Sequence, residues 1–464
     1  MVNTKLEKIY SESLLKSIFI LSLPVIISNL AGVIYFVTDT YFIGQLNDVS
    51  QLAAATYASP YMLMMFAIGS MFGIGASSYI SRSLGASDFE SARHALGKAL
   101  FFGMLTSLVV VFISVSLNAQ IATVMGASGD SLGHTINYLT IVSFAAPSII
   151  LNSVGMNTIR AEGSAKLAMV GMLLGVVVNI ILDPIFIFTL DMGIKGAAWA
   201  TALGNLSGSI LCILAYLFVT KIKPSFTNLF EKDGIMKDIL IVGIPSGLNI
   251  VIVSIAMMVM NSLLSSYGDT IVSGNGLAIR TNDIVLQIML GISLGILPLI
   301  GYCYGKKDYI RMKQIIKKSH QLNFLLGCIL SIIGIIFADK LIGIYTDDEM
   351  VIEYGSYALK VLFFTKPILG YLFVSNSSLQ AMGKGGIVLV TMVSRHLLIT
   401  IPMMFILNIT VGKKGVIWAY GISDFIFMFI ITYVLYKITH KLIESQSKKC
   451  GLLEGLVEDT QNII

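Results

Sequence analysis

The chain has 464 residues, of which 56% are hydrophobic and only 12% charged, with a net charge of +5 and a mean hydropathy of +0.85. A soluble globular domain carries about a quarter charged residues, so this composition excludes one and describes a chain that crosses a membrane repeatedly. The small positive excess is no nucleic-acid footprint, so no nucleic-acid partner is expected. The cysteines (Cys212, Cys303, Cys328 and Cys450) lack CxxC spacing and indicate neither a disulfide framework nor a zinc site.

Twelve apolar stretches are long enough to span a bilayer, for which about 20 helical residues suffice. They run at 14–43, 52–80, 95–117, 136–159, 167–190, 194–219, 238–266, 271–302, 320–338, 355–380, 386–409 and 415–437. Only helices or closed barrels satisfy their backbone in lipid, and stretches of this length are helices. The first is too long for a cleaved signal peptide, and no small-residue cleavage site follows it.

Basic residues give the topology. The connections after odd-numbered spans hold only Lys195, Lys340, Lys413 and Lys414, whereas those after even-numbered spans are rich in lysine and arginine. The N-terminus carries Lys5, Lys8 and Lys16, and the tail carries Lys437, Lys441, Lys448 and Lys449, so both termini are expected in the cytoplasm of a cell-membrane protein.

The chain also repeats itself at an offset of about 220 residues. SLGASDFESAR (83–93) answers CYGKKDYIRMK (303–313), FAAPSII (144–150) answers FFTKPIL (363–369), and IRAEG (159–163) answers LQAMG (379–383). GAAWA (196–200) answers GVIWA (415–419), pairing Trp199 with Trp418, and Pro24 falls on Pro245. An even number of spans per half gives two halves of like orientation, a common transporter plan with binding between them. The expected architecture is all-α: a six-helix bundle over 1–219, a linker at 220–237, a second bundle over 238–440 and a tail at 441–464.

Ionisable residues within membrane spans are functional candidates by default. Here they are Asp39, Asp183, Arg280, Asp283 and Asp424, with Lys360, Lys366 and Arg395 nearer span ends. Asp39 and Asp183 lie on helices running the same way and reach similar depth. Asn179 shares a face with Asp183, four residues on. Thr201, on the returning sixth span, lies at comparable depth, and Pro184 lacks an N–H and frees the carbonyl of Ile180. Two carboxylates, an amide and a hydroxyl near a helix distortion are oxygen ligands for Na⁺ or H⁺. Asp39 has an alternative reading as a helix cap, Asp183 as a buried structural acceptor, and Asn179 and Thr201 as packing contacts. Arg280 and Asp283, three apart, read equally as an ion pair or as substrate contacts.

LPVIISNLAGVIYFVTDTYFIGQL (23–46), FGIGASSYISRSLGASD (72–88), IRAEGSAK (159–166), NIILDPIFIF (179–188) with GIKGAAWATALGN (193–205), and GIPSGL (243–248) together resemble the multidrug and toxic compound extrusion (MATE) family, over nearly the whole chain. The spacing is most similar to its bacterial and archaeal branch with first-half coupling acids. The resemblance implies an antiporter, not an enzyme, that exchanges Na⁺ or H⁺ for organic, often cationic and amphipathic, compounds, with no cofactor. A monomer is expected.

On the resemblance, the coupling site is Asp39, Asn179, Asp183 and Thr201, which would also be the metal ligands if the ion is Na⁺. Tyr35, Tyr138 and Asn157 are supporting polar groups, although Asn157 counts to the far end of its span from the acids. Another branch places acids in its seventh and tenth spans, and here neither interior has one. Leu286 stands where some relatives carry a glutamate, which leaves Asp283, with Arg280, as a substrate-cavity candidate. Asp183 has no acidic counterpart near Ile401, so coupling is assigned to the first half, with bends at Pro24 and Pro184. The rival reading is a lipid or lipid-linked-saccharide flippase of the same wider superfamily.

Overall fold

The computed structural model describes residues 5–46 and 48–461, with side chains described except at Val49 and 447–461. The side chains of Lys448, Lys449 and Cys450, and residues 462–464 of the expected tail, therefore lie outside the described residues. A short amphipathic helix, α1 (Lys5–Ser11), precedes the first span. The first lobe then comprises α2 (Leu14–Gly44), α3 (Val49–Gly85), α4 (Phe89–Ser116), the short α5 (Asn118–Val124), α6 (Asp130–Ala161), α7 (Ala165–Pro184) and α8 (Ile194–Leu214). The second comprises α9 (Ile235–Ser265), α10 (Asp269–Gly305), α11 (Tyr309–Gly343), α12 (Glu349–Phe364), α13 (Lys366–Ala381), α14 (Gly385–Val393), α15 (Ile401–Thr410) and α16 (Lys413–Gln461). Eleven segments among the described residues are long and apolar enough to span, and the bent pair α12–α13 makes twelve.

The tenth span, expected as one helix, is broken by 50° between α12 and α13. Pro367 has no N–H to give the carbonyl four residues back. That carbonyl, on Phe363, accepts instead from the Ser331 hydroxyl at 2.5 Å. A neighbouring helix thus satisfies the group that the proline frees, which is what makes a break tolerable in lipid. Elsewhere the irregularities are single π-helical turns: Ile185–Thr189 directly after Pro184, Ala215–Val219, and Ser394–Thr400 before Pro402. By contrast, α2 passes through Pro24 as one continuous helix. The last helix runs on well past the expected span end, to Gln461.

The repeat is visible in local geometry. Ser87 and Lys307, at matching positions, both adopt left-handed backbone (φ 61° and 63°). Each is followed by an aspartate that caps the next helix: Asp88 accepts from the Ser91 N–H and Asp308 from the Arg311 N–H, both at 3.0 Å. Such caps satisfy the orphan donors of a helix start.

The two lobes meet along α2, α3, α9 and α10, through glycines spaced four apart. Gly243 and Gly247 of α9 face the Met71 and Ala67 carbonyls of α3, and Gly75 of α3 faces that of Ile239. Gly291 and Gly295 of α10 lie against Ile26 and Ser22 of α2, while Gly85 and Gly305 face carbonyls of each other's helices. Small residues at four-residue spacing let backbones touch where lipid supplies no hydrophobic drive. All these approaches fall in the halves of the helices nearer the chain termini. Immediately beyond them the same helices face a cavity of about 570 Å³, with Tyr35, Phe36 and Phe66 opposite Asn249, Ile250 and Gln287.

The linker is strapped to the first lobe. The Ser225 N–H bonds the Arg93 carbonyl at 3.1 Å, and buried Lys98 reaches Asp233 at 2.7 Å. On the terminal face α1 bridges the lobes. Its Leu6 packs on Gly163, and the Tyr10 hydroxyl donates to Asp308 Oδ2 at 2.6 Å.

Candidate functional site

Helix α2 places Tyr35 and Asp39 one turn apart, and α7 places Asn179 and Asp183 likewise. The two helices pack through Ala31, Tyr35 and Val176. Helix α8 comes close to α7 at a pair of glycines. A Cβ on Gly175 would stand 2.9 Å from the Gly204 carbonyl oxygen, and one on Gly204 would stand 2.7 Å from that of Gly175. That approach carries Thr201 of α8 to the buried face of α7.

The Tyr35 hydroxyl and Thr201 Oγ1 are 2.8 Å apart, and Asn179 Nδ2 donates to Asp183 Oδ1 at 3.3 Å. Asn179, Asp183 and Thr201 are wholly buried, and Asp39 is half-buried. The two carboxyls are close enough for their charges to interact, and buried Tyr138 of α6 faces the same Thr201 hydroxyl.

Three acceptor oxygens here are buried without a donor: Asp39 Oδ1, Asn179 Oδ1 and Asp183 Oδ2. Nearly all buried polar atoms in proteins find a partner, and an unmet one costs about 1–3 kcal/mol. Acceptors with no donors suit a group that brings positive charge. Among the described residues no three His, Cys, Asp or Glu side chains gather to hold a metal. The set is therefore two carboxyls with neutral oxygens, which suits a hard monovalent cation or protons.

Tyr35 and Thr201 also line the central cavity. Asn157 lines it too, but at the terminal-side end, where it bonds the Ser153 carbonyl and Arg160 and stands apart from the acids. Arg280 and Asp283 correct the sequence reading on both counts. Neither lines the cavity, and they form no ion pair. Arg280 is exposed, and Asp283 has its charged neighbour on another helix, the buried Lys366 at the start of α13, which itself bonds Asn282. What sequence reasoning missed is Arg160 as a charge of the cavity; Arg395, noted near a span end, lines the same cavity. Arg160 stands one residue beyond the fourth apolar stretch, so hydropathy assigns it to a connection. Arg395 pairs with Asp424 of α16 at 2.5 Å, across 29 residues of sequence.

Two like-oriented six-span repeats about a drug-sized cavity, with buried acids beside it in one repeat, are the architecture of a membrane transporter. The MatE family model matches twice, at residues 24–185 and 245–406. The chain belongs to this family, and the two matches coincide with the repeat. It is 30% identical to the multidrug export protein MepA of Staphylococcus aureus (strain MRSA252), over 95% of this chain and 97% of that one. Among solved structures, a MATE protein in complex with MaL6 matches with a TM-score of 0.89 at 26% identity, covering 94% of this chain and 99% of its own. A MATE protein in a bent conformation matches with a TM-score of 0.89 at 25% identity, covering 95% and 98%.

Proposed function

We propose that the chain is a secondary active exporter of small amphipathic organic compounds, multidrug-like as its relative is named, working in exchange for Na⁺ or H⁺ in the plasma membrane. The termini face the cytoplasm in this reading, so the lobes, joined on that side, hold an outward-open form. The observation that carries the proposal is that Tyr35 and Thr201 belong to two groups at once, the buried acid cluster and the cavity wall.

In the outward-open form Asp39 and Asp183 take up the ion, which meets the orphan oxygens of both acids and of Asn179. Satisfying them draws α2, α7 and α8 together. The shift is transmitted through the Tyr35–Thr201 contact into the cavity, with Pro184 and the π-turn behind it as the yielding point. Substrate then leaves outward, and the lobes reclose around the empty, ion-loaded site. Exchange follows because ion and substrate favour opposite arrangements of the same wall, a coupling that is reciprocal by linkage.

The often cationic substrates implied by the family resemblance meet no carboxylate on this wall. A cation would rest on the aromatic faces of Tyr35, Phe36 and Phe66, with the two acids behind them. The test is efflux of a dye from proteoliposomes under Na⁺ and H⁺ gradients imposed separately. Asp183→Asn should abolish the response to whichever gradient drives the wild type. Full gradient-driven efflux by that variant would remove Asp183 from coupling.

A further inference from the structure

The terminal-side end of the cavity presents a cation without a counter-ion. No aspartate or glutamate lines the cavity, and its two charged residues are Arg160 and Arg395. Arg395 is neutralised by Asp424, whose Oδ1 meets both Nη2 and Nε. Arg160 has only neutral acceptors: Nε donates to the Met156 carbonyl at 3.1 Å, and Nη2 to Asn157 Oδ1 at 3.2 Å. Among the described residues no carboxylate lies within ion-pair distance of it. Glu162, two residues on, turns away to the linker and accepts from the Lys221 N–H.

The surroundings of Arg160 have the make-up of a ligand site. Asn157 and Ser153 supply donors beside the guanidinium, while Met156, Met172 and Ile74 supply a pliable apolar wall. A guanidinium presents paired N–H groups that match the oxygens of carboxylate, sulfonate or phosphate. Inside a cavity with low-dielectric walls its field is focused on whatever enters.

We infer that this end of the cavity is an anion site, in which Arg160 binds the carboxylate, sulfonate or phosphate group of an amphipathic substrate whose apolar body lies toward Met156 and Met172. The inference rests on the reading of the cavity as the substrate site. It changes the substrate class: the cavity selects for a negative or zwitterionic head at its inner end, not for cations alone.

Two probes of one shape and opposite charge test it: naphthalene-2-sulfonate and N,N,N-trimethylnaphthalen-2-aminium, titrated calorimetrically into the purified full-length protein. Arg160→Gln should weaken the sulfonate by about tenfold or more, the scale of a lost charge-assisted hydrogen-bond pair, and leave the ammonium unchanged. Arg160→Lys, which keeps the charge but not the paired N–H groups, should restore part of the sulfonate affinity. Dihexanoyl-phosphatidylglycerol as competitor separates the sources of the anionic head. If it displaces the sulfonate at lower concentration than free naphthalene carboxylate does, the site takes a lipid phosphate; the reverse order gives a soluble anion. Absence of sulfonate binding, an unchanged affinity in Arg160→Gln, or equal weakening of both probes would overturn the assignment, the last by making Arg160 structural. Because binding is read without a gradient, the two readings fail separately. Arg160-dependent sulfonate binding with no gradient-driven transport of either probe leaves the anion site and removes the exporter. Gradient-driven ammonium efflux without sulfonate binding does the opposite.

Discussion

Gly243→Ala tests whether the glycine seam is what holds the two lobes together on the terminal side. The added methyl falls on the Met71 carbonyl oxygen of α3, with the carbonyl carbon 2.9 Å away. The obstacle is backbone, which cannot swing aside as a side-chain end can. Overpacking of this kind costs about 1–3 kcal/mol. The cost is borne only while α3 and α9 touch, so it is absent from any form in which the lobes part there. The ratio of the two forms should shift by about five- to 150-fold toward the one parted on the terminal side. Spin labels on the distal rim of each lobe, at the exposed Asp130 and Asp269, report this as a shortened distance. Cys212 and Cys303 are buried and stay unlabelled, and Cys328 and Cys450 are replaced by serine. Gly276→Ala is the matched control, since a Cβ there meets nothing within 4 Å. If Gly243→Ala gave the same distance distribution as Gly276→Ala, the seam would not be the clamp.

Three further outcomes follow from contacts outside the acid cluster. Tyr10→Phe loses the 2.6 Å bond to Asp308 but keeps the ring's cation–π contacts with Lys306 and Arg311, so the same labels should report a smaller shift, about three- to tenfold. Asp424→Ala leaves Arg395 without its partner and should lower stability by about 3 kcal/mol, read as a fall in Tm, whereas the double change Arg395→Met, Asp424→Leu should recover most of it. Glu162, beyond the end of α6, has its pKa pushed up to about 8 by burial, against the opposing pull of the Ile222 and Lys221 N–H groups and of Lys5 and Lys223. A raised carboxyl pKa contributes stability at pH below the unfolded value of about 4.5 and loses it as pH rises toward 8. The Tm of the wild type relative to Glu162→Gln should therefore fall between pH 5 and pH 8, and a constant difference would contradict the burial of this group.

Much of the architecture is legible in the sequence because lipid imposes one local requirement, a long apolar helix, and the repeat imposes a second. Twelve spans and two halves follow from those alone. The break between α12 and α13 does not, because Pro367 is visible but its tolerance depends on Ser331 of another helix. Spacing fails in the same way at Asp283. Its neighbour three residues back, Arg280, is exposed, and the charge that matters, Lys366, comes from α13. Asp39 and Asp183 are conspicuous in sequence because an acid within an apolar run is costly. Arg160 is not, because a basic residue at a span end is the ordinary topology signal. Only the cavity reveals that its side chain faces inward.

The repeat also shows that the two lobes are tied differently at equivalent places. With IRAEG aligned on LQAMG, Gly175 falls on Arg395; with the tryptophans aligned, Gly204 and Asn205 fall on Ser423 and Asp424. The seam between the last two spans of each lobe is thus built from different chemistry at equivalent places. In the second lobe it is tied by the Arg395–Asp424 pair and by the 2.8 Å bond from Thr400 to Ser423. In the first lobe it is closed by glycine backbones and apolar side chains, such as Ile187 against Ala197, with Asn205 bonded to the Thr201 carbonyl of its own helix and to Asn152 of α6. Glycine contact resists separation weakly compared with a buried ion pair, whose rupture strands a charge. Pro184 ends α7 in the first-lobe seam directly after Asp183, so the acid stands at the end of the α-helical run, next to the π-turn. In the proposed cycle an ion arriving at Asp183 therefore acts in the lobe whose seam has no buried ion pair, with the second lobe as the wall against which the first one moves.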